Sequence, residues 1–322
     1  MTSRKQQRGA ALLIVLLLAA TLSFVALSIM ERTTLSAARS VNVNARGEAL
    51  WRALAVETLA LAAVDELASD ENTRMSLDDP WTREPIELPL DDGEARVAFV
   101  DATTCFNINA LGTAASTDGT STAMREFIRL ATLVGVSEFE AAALAEAIGD
   151  WIDEDTNRRP QGAEDGYYTA LPSPYRTGNQ PMAAVSELRA IRGVSSDIYA
   201  QLKRFLCAYS VIELTAVNVN MLTEFHAPVL AAALGDEVGL QTALDIIAAR
   251  PPGGYASAQD FLANPQIAGL NPQNTGRFQV KSRFLEARAE IVYDTALVEM
   301  TSMIETGGER ARVLARRIGA EE

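Results

Sequence analysis

The residues with the clearest capacity for chemistry are the acidic ones just after Trp151. Asp153-Glu154-Asp155-Thr156-Asn157 and, a few positions on, Glu164-Asp165 gather carboxylate and amide oxygens into one short stretch. With Asp153 as position 1, Asp155 and Asn157 fall at positions 3 and 5 and Glu164 at 12, the ligand offsets of an EF-hand loop. The likeness ends there. Arg158 stands at position 6, where that loop needs glycine, Pro160 is at position 8, and Pro172 and Pro174 leave no good exiting helix. The spacing predicts a hard-cation site of oxygen ligands that is not an EF-hand. Carboxylates this dense need a counter-charge once they are ordered. About seven oxygens at flexible geometry suit Ca²⁺ better than Mg²⁺, and no cysteine or second histidine lies nearby for zinc. The competing reading is a solvated acidic loop. A bound ion would act structurally, holding residues 153–181, a segment with four prolines and few apolar anchors.

Other chemistry is thin. His226 is the only histidine and precedes Ala227-Pro228 with no nucleophile motif in support, so a structural role is expected and no enzyme is read. No phosphate loop or dinucleotide fingerprint occurs, and Trp51, Trp81 and Trp151 read as packing. Leu188-Arg189-Ala190-Ile191-Arg192-Gly193-Val194, with a helix from Ser195, resembles one helix-hairpin-helix unit. Ile246 to Phe261, with Arg250 and Gly254, resembles part of another. Such hairpins often bind DNA phosphates, but 28 cations against 42 anions give this chain a formal charge of −14, which repels nucleic acid and suits cations. A membrane-anchored component for DNA binding or uptake is therefore the alternative function, not the first.

These residues must be carried by something, and the N-terminus says what. From Ala10 to Met30 there are 21 residues without a charge, enough as a helix to cross a bilayer's hydrocarbon core of about 30 Å. Arg4, Lys5 and Arg8 precede it, and Gly9 separates the basic leader from the apolar run. A cleaved secretory signal would have a shorter apolar core. A plain anchor and a prepilin-type leader remain, and the Gly9–Ala10 junction favours the prepilin type, cut there with the apolar helix retained. The first proline is Pro80 and the only glycine between Ala10 and Ser69 is Gly47, so one helix of about 60 residues is expected. Its second half is amphipathic through Leu35, Ala38, Leu50, Ala53, Leu54, Leu61, Val64 and Leu67. The cationic leader places the N-terminus in the cytoplasm and the body on the other side of the membrane. Removing residues 1–9 leaves a charge of −17.

Beyond the helix, Pro80, Pro85 and Pro89 argue against helix, and Asp91-Asp92-Gly93 reads as a turn between strands at 86–88 and 96–100. Gly112 to Thr122 reads as a linker. Helices are expected at 124–134, 137–152 (with Ser137 and Glu140 as a capping box), 183–191, 195–209, 221–234, 240–249 and 257–263. A short strand is expected at 211–214. From 280 the period becomes two, giving strands at 280–292, 295–304 and 311–318. Val217-Asn218-Val219-Asn220 echoes Asn107-Ile108-Asn109. Cys105 and Cys207 are the only cysteines; outside the cytoplasm a disulfide is expected over two buried thiols. The fold class is α+β: a long N-terminal helix on a small antiparallel sheet, with a large all-α domain inserted between strands. The divisions are a leader at 1–9, a transmembrane half at 10–30, an external half at 31–72, a β region at 73–112 and 278–322, and an insert at 113–277.

The chain resembles the minor pseudopilin K family of type II secretion. The resemblance is carried by Arg8-Gly9-Ala10-Ala11-Leu12-Leu13, Phe106-Asn107-Ile108-Asn109-Ala110-Leu111, Asp150-Trp151-Ile152-Asp153-Glu154-Asp155 and Gly162-Ala163-Glu164-Asp165-Gly166-Tyr167-Tyr168. Pro174-Tyr175, Asn179, Pro181, Glu187-Leu188-Arg189 and Val217-Asn218-Val219-Asn220 continue it, while the C-terminal third matches mainly by pattern. It implies a pilin-like fold with a helical insertion and bound calcium, with ligands among Asp153, Asp155, Asn157, Glu164 and Asp165. It further implies cleavage after Gly9 by prepilin peptidase and N-methylation of Ala10. The implied location is the inner membrane with a periplasmic body, at the pseudopilus tip with minor pseudopilins I and J. Other pseudopilins and inner-membrane assembly proteins are further expected partners. Pilins usually carry glutamate at the fifth mature position; here it is Ile14.

Overall fold

The computed structural model describes residues 3–69, 74–113, 121–269, 275–308 and 310–319. The expected linker lies mostly outside them. The first helix, α1 (Ser3–Ser69), runs unbroken for 67 residues, a length of about 100 Å, with Gly9 and Ala10 inside it. Among the described residues it is the one helix long and apolar enough to cross a membrane. Its apolar half touches nothing: Leu12 through Met30 are exposed apart from half-covered Ser28. Its other half lies on a sheet. The buried stripe there is made of small residues, Ala45, Ala49, Ala53, Val56, Ala60 and Val64, which let the helix approach closely. Leu35 and Ala38 stay exposed and Leu50, Leu54, Leu61 and Leu67 only flank the contact, so the seam is narrower and more alanine-rich than the hydrophobic pattern suggests. Trp51 is not packing: it is 72% exposed on the outer face.

After α1 comes a single turn, α2 (Pro80–Arg83). Pro80 starts it, because its missing N–H costs nothing in the first turn of a helix; prolines did not exclude a helix here. Strands β1 (Ile86–Leu90) and β2 (Gly93–Asp101) form the expected hairpin, with Asp92 at φ 61° in the turn. The chain then leaves the sheet and returns in β7 (Phe284–Tyr293), β8 (Ala296–Glu305) and β9 (Arg312–Ile318). All four pairings in the order β1-β2-β7-β8-β9 are antiparallel. Alternate residues Val97, Phe99, Leu285, Ala287, Ala289, Ile291, Val298, Met300 and Ile304 face α1. Within this core Glu57 is 5% exposed, bonded to Ser302 and paired with Arg316. Replacing Arg316 by alanine leaves that carboxylate buried and half-satisfied. The expected cost is about 2 kcal/mol, read as a lower urea midpoint. Because Arg316 and Ser302 hold Glu57 below its ordinary value against the opposing effect of burial, this lock is in place at neutral pH and is lost as acid protonates the carboxylate.

The excursion between Asp101 and Phe284 is the insert, wider than 113–277 because residues 106–111 already pack into the helical core. It is not all helix and loop. Strands β3 (Phe106–Asn107) and β4 (Leu206–Cys207) pair in parallel, as do β5 (Val217–Asn218) and β6 (Phe278–Gln279), and each pair closes one half. The first half holds α3 (Thr122–Leu133), α4 (Glu138–Ile152), α5 (Asp165–Tyr168) and α6 (Ser196–Leu202); the second holds α7 (Ala227–Leu234), α8 (Leu240–Ala248), α9 (Ala258–Leu262) and α10 (Pro265–Ala268). Each half has its own core. Several expected helices are shorter: 185–190 is a 3-10 turn, the helix from Ser195 ends at Leu202, and 224–226 is 3-10 before α7. Residues 211–214 form no strand. Ser137 caps α4 by accepting the Glu140 N–H.

The two Asn-x-Asn pieces do the same work in the two halves. Asn109 grips the backbone of Met182 at both N–H and C=O, and Asn220 grips Tyr255 the same way. Gly254, at φ 82°, must be glycine, since a Cβ there would lie 2.5 Å from the Asn220 carboxamide carbon. The other members, Asn107 and Asn218, tie the strands to Val211 and Glu213 and to Met75 and Ser282. Cys207, the second residue of β4, is joined to Cys105, which directly precedes β3, with Cα atoms 5.7 Å apart.

Candidate metal centre

The acidic stretch begins where α4 ends. Asp153 is the C-terminal cap, its N–H bonded to the Gly149 carbonyl at 3.0 Å, so the site sits at the electronegative end of a 15-residue helix. Asp150, fully buried in the last turn, is held by Arg159, whose guanidinium lies 2.9 Å from Asp150 and 2.8 Å from Asp153 Oδ2. That arginine folds the loop back over the helix end and leaves Asp153 Oδ1 free. Gly162 passes so close that a Cβ would stand 2.0 Å from Asp150 Oδ2. The chain then delivers Glu164, the N-cap of α5, against the same spot.

Three carboxylates converge: one oxygen each from Asp153, Asp155 and Glu164 lie within 4.8 Å of one another. Glu164 is 7% exposed, and among the described residues neither of its oxygens has a hydrogen-bond partner; nor does Asp153 Oδ1. Burial, then the charges of Asp150 and Asp153, push Glu164 up to about 7. Burial also raises Asp153, against the pull of Arg159. Orphaned buried carboxylate oxygens facing like charges are costly unless something positive sits among them. The donor set, all hard oxygen, fits a cation such as Ca²⁺.

The other expected ligands are elsewhere. Asn157 is exposed, and its backbone N–H donates to Asp155 at 2.7 Å. Asp165 accepts the Thr177 N–H and hydroxyl at 3.0 and 2.9 Å, which holds it below its ordinary value. The sequence does not single out the return leg as part of the site. Asn179, at φ 45°, donates its N–H to the Trp151 carbonyl at 2.9 Å, and its buried Oδ1 has no partner among the described residues. Nor does the loop lack apolar anchors. Tyr168 is completely buried, its ring 5.3 Å from both Trp151 and Tyr175; burial pushes its phenol up to about 12. The spacing of Trp151, Tyr168 and Tyr175 was the available signal, hidden among prolines. His226 caps its own turn, accepting the Thr223 N–H at 3.0 Å, and burial lowers it to about 4.

Comparison with known proteins bears on the chain as a whole. Two family models described as type II secretion system, protein K match residues 104–211 and 217–281, which are the two halves of the insert. Type II secretion system protein K of Pectobacterium carotovorum subsp. carotovorum is 34% identical over 98% of both chains, and that of Aeromonas hydrophila 32% identical over 100% of both. The fold matches a chain in the crystal structure of the GspK-GspI-GspJ complex from the enterotoxigenic Escherichia coli type 2 secretion system. There the TM-score is 0.76 at 28% identity, over 88% of this chain and all of the other. Full-length relatives, matching insert and shared α+β architecture agree: the chain belongs to the type II secretion system protein K family.

Proposed function

We propose that this protein is a non-enzymatic minor pseudopilin at the tip of the type II secretion pseudopilus, priming its assembly and supporting export of folded proteins across the outer membrane. One observation carries the placement. Along α1, Asn42 and Arg46 lie beside the 295–299 and 318–319 end of the sheet, Arg52 stacks on Tyr293, Glu57 meets Arg316, and Asp65 meets Ala311. The ends of β2 and β7 that open into the insert, Asp101 and Leu285, are therefore the ends away from the membrane half of the helix. A helical domain of about 180 residues crowns the body there, where a further subunit stacked above would collide with it. The E. coli relative is found with GspI and GspJ, and minor pseudopilins I and J are the proposed partners here. Other pseudopilins and inner-membrane assembly proteins would contact the stem.

In this reading prepilin peptidase cleaves after Gly9, Ala10 is methylated, residues 10–30 anchor the chain in the inner membrane and the body faces the periplasm. Asp153, Asp155 and Glu164 hold a structural Ca²⁺ that fixes the loop against α4. The test is reconstitution: the body from Glu31 onward, mixed with soluble bodies of I and J, is expected to form a 1:1:1 complex by size-exclusion chromatography. The full chain is expected to restore secretion in a strain lacking protein K. A monomeric body together with failure to restore would overturn the proposal. A second measurement uses Ile14. A subunit with nothing above it has no amine to pair with a buried carboxylate, and an unpaired charge in lipid is costly. Ile14→Glu is expected to cut secretion severalfold; normal secretion would remove this account of the isoleucine.

A further inference from the structure

The hairpin stretch that follows the acidic loop carries three exposed cations that are held against aromatic rings. Arg189, Lys203 and Arg204 are all exposed, and among the described residues none is paired with a carboxylate. They lie instead on aromatic rings. Arg189 and Lys203 sit 6.0 and 5.5 Å from the centre of Tyr199, and Arg204 sits 4.8 Å from that of Phe225. Phe225 in turn stacks on Phe205 at 4.9 Å. By contrast, Arg159, Arg277, Arg283, Arg312 and Arg316 are all neutralised by carboxylates. Ring contacts hold the three cations in place while leaving their charge uncompensated.

We infer that this face docks an acidic polypeptide segment of a partner protein. Charge complementarity selects the occupant, and the geometry sets it apart from nucleic acid. Single strands need open aromatic faces on which bases can stack, whereas here the rings are engaged by cations and by Phe205. The exposed carboxylate of Asp197 also occupies the first turn of α6, where a hairpin would receive a phosphate. Glutamate and aspartate side chains need only the cations. The inference concerns the outer face of the insert and does not depend on the assembly role.

The test uses the full chain in detergent and a fluorescent deca-glutamate peptide, with an oligothymidylate of equal charge as the competing class. At low ionic strength the peptide is expected to bind saturably and to weaken as salt shortens the screening length. Arg189→Glu/Lys203→Glu/Arg204→Glu is expected to weaken it at least tenfold, and the corresponding glutamine variant is expected to fall between. Arg39→Glu/Arg46→Glu/Arg96→Glu makes the same change in net charge elsewhere and is expected to leave binding intact. No peptide binding, equal loss in both charge-reversal variants, or tighter binding of the oligonucleotide would each overturn the inference. Unchanged circular-dichroism melting of the variants excludes unfolding as the cause.

Discussion

Opening the Cys105–Cys207 bridge is expected to be the most destabilising single chemical change in the body. The bridge spans 102 residues of sequence, and a closed loop of about 100 residues removes about 4.7 kcal/mol of unfolded-state entropy. For a body this large that corresponds to a fall of about 9–19 °C in Tm. The bond joins the first and last segments of the insert's first half, beside two parallel strands of two residues each that could not hold those ends by hydrogen bonds alone. Cys105→Ser/Cys207→Ser, melted beside the native protein under oxidising conditions, reads the effect. A difference under about 2 °C would mean that β3, β4 and the Asn107 and Asn109 clamps carry the closure.

Calcium is expected to have the next largest effect. A ligand bound only to the folded state at a hundred times its Kd stabilises by about 2.7 kcal/mol, or about 5–11 °C here. Millimolar Ca²⁺ added to chelator-treated protein should give that rise, and Asp153→Ala/Asp155→Ala should abolish it. The pH dependence has a definite sign. Without the ion, Glu164 titrates near 7 in the fold and near its ordinary 4.5 in the unfolded chain. Between those values the native state holds the extra proton, so the metal-free protein loses stability as pH rises through this window. The ion competes with that proton, so its stabilisation should be larger at pH 8 than at pH 5.5. Identical melting curves with calcium and with chelator at pH 8 would discard the site.

The long helix, the hairpin at Asp92, the C-terminal meander and the acidic stretch were all legible in the sequence, because each is written in local terms: an uncharged run, a turn residue, a period of two, a cluster of carboxylates. What the sequence hid depends on distant partners. The buried stripe of α1 is alanine because a sheet lies against it, and Leu35 and Ala38 repeat at the right spacing with no sheet to meet. Asn157 and Asp165 carry ligand-type side chains at ligand-like spacing, yet Asn157 is exposed and offers Asp155 only its backbone N–H, while the Asp165 carboxylate is taken up by Thr177. Glu164 stands at a ligand-like position in the sequence, but its burial and the three carboxylates around it come only from the fold. The closing strands of the insert are two residues long, too short for any periodicity to show.

The two points where the insert departs from the sheet, Asp101 and Leu285, are directly opposed neighbours on adjacent antiparallel strands. To the rest of the body, everything between them is a detour that starts and finishes at one hairpin bend. An ordinary tight turn could bridge the gap and leave a plain pilin-shaped remnant. A change in the length of the crown need not alter the strand order of the shaft beneath it, provided that it keeps the stack of Tyr209 on Phe284 and the bond from Asn218 to Met75.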